Sequence, residues 1–456
     1  MTTAVTGVDR ERLTTLHARE SARFVAARPR SAALHEQALA HLPGGVPMSW
    51  MAKWPGPHPV YVEQAQGAHF TCVDGIDHVD LCLGDTGAMS GHSPAATVAA
   101  VRYQAGRGFT SMLPTADAPL VAAELARRFG VPQWQFTLSA TDANRHAIRY
   151  ARQVTGRPKV LVIDWCYHGT VDETFATLSA DGSVLARRGN IGAPVPPSQT
   201  TVVVPFNDVP ALEAALTRGD VACVLLEPAM TNIGIVLPDP GYHEALRRLT
   251  SAHGVLLIMD ETHTLCAGPG GCTAAWGLHP DVVVVGKTIG GGIPAAAFGM
   301  TQELSDRVRA SIDLEDVDVG GVGGTLAGNA LSMAAVRATL TQVLTDDVFE
   351  AMVALAVRWT DGVQRVLDAT GAPWHVTRIG CRAEYAFAPS APHDGAEAAA
   401  ADDFELQQYL HLHALNRGLL LTPFHNMALI SPATTAQDVD LHTAAFAECA
   451  TELFAS

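Results

Sequence analysis

Positive charge is scarce. Lys and Arg number 30 against 46 Asp and Glu, which leaves a formal net charge of −16 at pH 7. Binding to a nucleic-acid backbone needs a basic footprint, so that class of function is excluded. Long apolar runs are missing too, and none approaches the roughly 18 residues that a membrane span requires. The stretch from Met1 to Arg12 lacks the charged-then-apolar pattern of a secretory signal. Asp9, Glu11 and Glu20 interleave with the arginines, unlike an acid-poor transit peptide. The expectation is a cytoplasmic protein. Eight cysteines are present, none in a C-x-x-C pair, which removes the zinc-ribbon and thioredoxin readings. Most sit among apolar residues, as reduced structural thiols do. His411 and His413 have no third ligand at metal spacing, so no metal is expected.

What is present suits a large folded enzyme. Hydrophobic residues make up 48% of the 456 and charged residues 17%, enough for a sizeable core. Residues 9–41 read as helix, broken at Arg28-Pro29-Arg30 and ended by Pro43-Gly44-Gly45. A Pro/Trp-rich stretch follows, then short runs that look like a strand and hairpin. From about 120 the chain alternates helical patterns with apolar runs at Gln135–Leu138, Lys159–Ile163, Thr201–Val204, Ala222–Leu226, Val255–Met259 and Val282–Val285. Runs that are apolar throughout mark strands buried on both faces, and the alternation implies a mostly parallel sheet. After Gly328 the pattern changes to long helices, Ala330–Leu344 and Val348–Thr370, with strand-like pieces at Ala383–Phe387 and Gly418–Leu421 and a last helix from about Thr435. The expected organisation is an N-terminal helix and arm over 1–70, a large α/β domain over 71–328, and a smaller α+β domain over 329–456.

Ligands of open parallel sheets sit beyond the C-terminal strand ends. After Gln135–Leu138 comes Ser139-Ala140-Thr141, opening a helix. Free backbone N–H groups and the helix dipole there suit a phosphate, although an ordinary Ser N-cap has the same sequence. After Lys159–Ile163 comes Tyr167-His168-Gly169, with an aromatic able to stack on a flat ligand or simply to pack. Glu227-Pro228 and Asn232 follow Ala222–Leu226. Asp260 ends the next run, where an ionised carboxylate needs a cationic partner. Lys287 follows the four valines Val282–Val285. An amine held out of water there is readily deprotonated and nucleophilic; a lysine reaching the surface beside a Gly-rich loop is the alternative. A phosphate cradle, an aromatic, a carboxylate and a lysine, in that order on one sheet, together suit pyridoxal 5′-phosphate (PLP).

The chain resembles the class III aminotransferases of PLP fold type I, particularly the branch of glutamate-1-semialdehyde aminomutase and the β-amino-acid aminotransferases. The resemblance is carried by Pro43-Gly44-Gly45-Val46, Asp74-Gly75, Gly91-His92-Ser93-Pro94, Tyr167-His168-Gly169, Glu227-Pro228, Asp260-Glu261, Gly286-Lys287 with Gly290-Gly291-Gly292, and Gly324-Thr325-Leu326-Ala327-Gly328-Asn329. It implies a mostly parallel central sheet with helices on both faces and a smaller α+β domain. It makes Lys287 the Schiff-base lysine, Asp260 the partner of the ring nitrogen and Tyr167 the ring cover. Ser139, Ala140, Thr141, His168, Glu227, Asn232, Thr262 and His263 fall around the cofactor. Thr262 stands where the family usually has Val, and His263 where some members place Gln near the ring hydroxyl. Thr325 would reach the phosphate of a second subunit, implying a homodimer. The cradle has Ala140 where the family commonly has Gly.

The implied activity is aminotransfer between an amine or amino acid and a carbonyl acceptor, both small molecules. The alternative on this scaffold is an isomerase, either an aminomutase or an epimerase. Some relatives clamp a substrate carboxylate with an Arg just after Pro-Gly-Gly, and others with an Arg in a C-terminal loop. Here those stretches read Pro47-Met48-Ser49-Trp50-Met51 and Thr422-Pro423-Phe424-His425-Asn426-Met427. Neither His nor Met replaces a bidentate Arg, so a more apolar amine is expected. Trp50, Met51, Arg382 and His425 remain the substrate candidates. Lys53 and Arg145 are weaker ones. Arg382 and Glu384 alternate onto one strand face, where a mutual surface ion pair is the competing reading. A PLP-binding transcription regulator is disfavoured, since roughly 70 residues of helix and arm leave no room for a DNA-reading helix pair.

Overall fold

The computed structural model describes residues 6–311 and 321–454. The chain forms two compact units. One comprises Met1–Pro94, Asp347–Ala391 and Ala400–Ser456, and the other Ala95–Asp346 and Pro392–Ala399. The divisions thus fall at 94/95, 346/347, 391/392 and 399/400, whereas the sequence suggested 70/71 and 328/329. The N-terminal helices also join a unit rather than standing apart as an arm.

The larger unit is built on a seven-stranded sheet. Its strands are β1 (Gln133–Thr137), β2 (Lys159–Ile163), β3 (Thr201–Val204), β4 (Val221–Leu226), β5 (Leu256–Asp260), β6 (Val282–Val285) and β7 (Ala296–Met300). Their order is β1-β7-β6-β5-β4-β2-β3. Neighbours from β6 through β3 pair in parallel, and β7 runs antiparallel to both β6 and β1. All strands but β7 therefore point one way, and their C-terminal ends share one edge. Strands β3 to β7 are buried at every residue, as helices on both faces require. Among the helices, α1 (Ala140–Thr155) follows β1 and α2 (Tyr242–His253) precedes β5.

β7 had no counterpart among the sequence runs. Its residues Ala296-Ala297-Phe298-Gly299-Met300 are poor strand formers apart from Phe298. Packing explains the glycine: a Cβ at Gly299 would lie 2.5 Å from the Trp134 ring of β1. Edge strand β1 is only partly buried.

In the other unit, Val62–Gln66, His69–Cys72 and Asp77–Asp80 form an antiparallel set joined in parallel by Leu419–Leu420. A second sheet contains His375–Ile379, Arg382–Ala386 and Met427–Leu429. The N-terminal helices Arg10–Ala27 and Pro29–Leu39 break where Arg28-Pro29 predicted. Phe24 packs on Leu412 and Leu415 of the helix Phe404–Leu415. The buried Arg28 guanidinium donates to the Leu415 carbonyl at 2.9 Å. These bonds are why the N-terminal segment belongs to this unit. All eight cysteines are free and buried. Among the described residues, no helix is long and apolar enough to cross a membrane, and no cluster of three or more His, Cys, Asp or Glu could hold a metal.

Candidate active site

The strand-end residues of the larger unit converge. Ser139 is the N-cap of α1: its hydroxyl accepts from the Asp142 backbone N–H at 3.2 Å and donates to the Asp142 carboxylate at 2.9 Å. The hydroxyl is thus engaged in capping. The free donors of the cradle are the first backbone N–H groups of α1, beginning at Ala140 and Thr141, which have no intrahelical partner. Thr141 Oγ1 accepts from the Thr170 N–H at 3.0 Å. Gly169 closes this corner with φ +77°, and a Cβ there would lie 2.1 Å from Thr141 Oγ1. Gly286, just before Lys287, packs so closely that a Cβ would lie 3.3 Å from the Ala140 nitrogen. The helix N-terminus and the lysine strand end are therefore neighbours.

Asp260 ends β5 and is 3% exposed. Its Oδ2 accepts from Asn144 Nδ2 at 2.8 Å and meets His168 Nδ1 at 2.9 Å, while Oδ1 accepts from the Thr262 N–H at 3.1 Å. Burial alone would raise its pKa, but His168, Thr262 and Asn144 outweigh that and hold it at about 2. Burial likewise opposes a charged His168 ring, but Cys166 and Asp260 raise it to about 10. These contacts favour a carboxylate facing an imidazolium within the buried pair. A carboxylate accepts about four hydrogen bonds, so Oδ1 retains capacity for a cationic N–H.

Lys287 follows β6 and opens a tight turn over Lys287–Gly290. It is half-buried, where the sequence suggested fuller burial. Its φ of +50° is a left-handed conformation, which a non-glycine side chain occupies at a cost of about 1–3 kcal/mol and which clusters at functional sites. Its Nζ lies 2.9 Å from His263 Nε2. Thr262 Oγ1 and Asn144 Oδ1 are buried and have no hydrogen-bond partner, leaving polar atoms for a ligand. Tyr167 is half-buried, its ring centroid 6.4 Å from that of Phe175. Glu227 is held by the Thr231 hydroxyl and backbone N–H. Asn232 Nδ2 donates to the Trp165 carbonyl at 3.4 Å. Thr325 is exposed.

Sequence reasoning missed Asn144. It is fully buried inside α1 and ties the Asp260 carboxylate to the His168 carbonyl, 3.2 Å away. Its one signal was an asparagine in a helix interior, a poor place unless its side chain is used. The role of Glu261 was also unseen: its buried carboxylate gathers Thr264 Oγ1 at 2.5 Å, the Cys272 N–H at 3.1 Å and the Thr273 N–H at 2.5 Å. Arg145 donates to the Thr170 carbonyl at 2.5 Å.

The substrate candidates lie in the other unit. Trp50 stands edge-on to Phe424, with centroids 5.8 Å apart, and Lys53 Nζ lies 5.7 Å from the same ring. Met51 is exposed. Arg382 and Glu384 do share a strand face, but the surface ion pair expected for them is a buried one. Arg382 is 1% and Glu384 6% exposed, with Nη2 3.5 Å from Oε2. His425 Nδ1 meets the other Glu384 oxygen at 3.2 Å. The partners of Arg382 and Glu384 on the neighbouring strand, Leu429 and Met427, are themselves buried, which alternation within one strand could not reveal.

A parallel α/β sheet with a helix N-terminus, a buried carboxylate and a lysine at adjoining strand ends defines a PLP-dependent enzyme of fold type I. The sequence pattern of aminotransferase class-III matches residues 50–447, and the chain belongs to that family. It is 33% identical over 422 residues to a glutamate-1-semialdehyde 2,1-aminomutase of Desulfosudis oleivorans, covering 90% of this chain and 96% of that one. The structure of a glutamate-1-semialdehyde aminomutase from Pseudomonas aeruginosa PAO1 superposes with TM-score 0.96 at 49% identity, covering 98% and 100% of the chains. A lysine-to-alanine variant of that protein was solved in complex with PMP. A β-phenylalanine aminotransferase from Variovorax paradoxus gives TM-score 0.84 at 27% identity, covering 96% and 97%. PLP is the cofactor of this enzyme.

Proposed function

We propose that this enzyme transfers an amino group between an amine or amino acid and a carbonyl acceptor, with Lys287 as the lysine that holds the cofactor and moves the proton. The observation that carries this reading is the pairing of adjacent strand ends. Asp260 lies opposite Val284 in the β5–β6 ladder, so the anchored carboxylate and the lysine leave the sheet side by side. When bound, PLP supplies an electron sink for a carbanion beside the amine nitrogen. Asp260, kept anionic by His168 and Asn144, would hold the ring nitrogen protonated. The backbone N–H groups at Ala140 and Thr141 would hold the phosphate. Tyr167 would cover the ring, with Thr262, Glu227 and Asn232 around it. The freed Lys287 amine would carry the proton between substrate carbon and cofactor carbon, as base and then acid.

The Arg382 guanidinium is already matched by Glu384, and Trp50, Phe424 and Lys53 form an aromatic surface with one flexible cation. These features support a relatively apolar or ring-bearing donor. A homodimer completed by Thr325 is part of the reading. Met112 and Leu113, 76% and 74% exposed, together with Phe109 and Leu326, supply apolar surface for it; the Phe109 carbonyl accepts from the Ala330 N–H. The second reading is amino migration within one substrate, favoured by the aminomutase names of the relatives.

The test is to add single donors to the PLP-loaded enzyme without acceptor. The panel spans α-, β- and ω-amino acids, plain amines and glutamate-1-semialdehyde. Bleaching of the bound-PLP absorbance with release of a carbonyl product supports transfer. Isomerised product without net loss of amine supports migration and overturns transfer. Sedimentation velocity reads the dimer.

A further inference from the structure

We propose that His263 is the proton acceptor that frees the Lys287 amine for attack on the cofactor. The inference rests on the functional reading above and concerns how its central lysine is made nucleophilic. His263 Nε2 and Lys287 Nζ are 2.9 Å apart, a good distance for a single shared proton. In the transfer, one N–H bond of the Lys287 ammonium breaks, its electron pair stays on Nζ, and the proton joins Nε2. The reverse step returns it.

Both partners are held in place by the chain around them. The segment bearing His263 is anchored on each side. The Glu261 N–H donates to the Val284 carbonyl at 2.8 Å, and the Glu261 carboxylate gathers Thr264, Cys272 and Thr273. Gly271, at φ +60°, lets that carboxylate in, since a Cβ there would lie 2.3 Å from Oε2. The Lys287 backbone is left-handed, and its neighbour Gly286 is wedged between Ala140 and Ala296. The β5 and β6 ends therefore fix the backbone positions from which the imidazole and the amine meet. A glutamine at 263 could hydrogen-bond the lysine but could not take its proton.

The experiment uses the full-length apo chain and its His263→Ala and His263→Gln variants. PLP capture is followed by stopped-flow absorbance, and PMP binding, which needs no bond to lysine, is measured by calorimetry. Capture should slow roughly 10²-fold in both variants, the range of a lost general base. PMP affinity should fall far less than the capture rate, and added imidazole should restore part of the rate in His263→Ala. Wild-type capture rates in either variant would overturn the proposal. So would PMP affinity that falls in step with capture, or slow capture that imidazole leaves unchanged. A wild-type chain that captures no PLP would overturn the functional reading itself, a result separate from any difference between variants.

Discussion

Replacing His168 with Phe in the apo protein tests what keeps Asp260 charged. The side chains are 0% and 5% exposed and meet at 2.9 Å. Removing one partner of a buried ion pair costs about 3–5 kcal/mol. Asn144 and the Thr262 N–H stay on the carboxylate, so the lower end, about 3 kcal/mol, applies. At about 2 °C per kcal/mol for a unit of this size, the transition should fall by about 6 °C. The pH dependence follows from the two shifts. His168 is raised from 6.5 to about 10, so its contribution is complete below pH 6.5 and is lost as pH rises through 10. Asp260 is lowered from 3.8 to about 2, so its contribution is complete above pH 3.8 and is lost only as pH falls through 2. Both are complete together between 3.8 and 6.5. The deficit of His168→Phe should therefore be largest at about pH 5.5 and shrink toward pH 9.5. Thermal unfolding followed by near-UV circular dichroism at both pH values measures it. A variant within about 1 °C of wild type at the lower pH, or a deficit that widens with pH, would refute the assignment of a buried ionic pair.

Lys287→Ala should abolish turnover and covalent capture of PLP while leaving PMP binding, read by absorbance and calorimetry; turnover in that variant would remove the lysine from the chemistry. Asp260→Asn should retain part of the cofactor and lose kcat by about 10²-fold or more, since a preorganised charge is gone. A near-normal rate would mean the ring nitrogen is bound elsewhere. Gly169→Ala places a Cβ 2.1 Å from Thr141 Oγ1 at φ +77°, so the apo protein should lose about 1–3 kcal/mol and PLP affinity should fall with it. Denaturation midpoints and PLP titration read both effects.

The parts legible in sequence were those carried by local chemistry. Three buried runs, Lys159–Ile163, Thr201–Val204 and Val282–Val285, coincide with strands β2, β3 and β6, because a strand covered on both faces is written as uninterrupted β-branched and leucine residues. The break at Arg28-Pro29 was legible because proline disfavours helix in the residue before it. Strand β7 was not, since its alanines and Gly299 are chosen by the Trp134 ring lying against them. The same limit hid Asn144 and the burial of Arg382. Both depend on what packs from a distant part of the chain, and neither leaves a periodic trace. The helix beginning at Ala330 was read through to Leu344, but it passes into a π-helical turn over Thr339–Val343. There the Leu340 and Leu344 carbonyls accept from the buried Arg128 guanidinium at 2.6 and 2.8 Å.

Charge separates the cations of the smaller unit by how free each is to meet a carboxylate. Arg382 is the apparent candidate by type, but its guanidinium faces Glu384 at 3.5 Å with both side chains buried. Drawing Arg382 onto a substrate would strand that carboxylate, and breaking such a pair costs about 3–5 kcal/mol. A substrate carboxylate does not supply that much, since a charged hydrogen bond nets only about 1.5–3 kcal/mol. Arg382 therefore serves the three-stranded sheet, with Glu384 passing its second oxygen to His425. Lys53 carries no such obligation. Its ammonium lies 5.7 Å from the Phe424 ring on an exposed side chain, and it can leave that face for about 0.5–1 kcal/mol. Lys53→Met should therefore raise KM for donors bearing a carboxylate more than for plain amines, by about 1.5-fold to fivefold, the value of one exposed charge contact. Steady-state kinetics on a matched amine and amino acid measure the ratio. An equal change for the two donors would take Lys53 out of substrate recognition and leave the aromatic pair Trp50–Phe424 as the selective element.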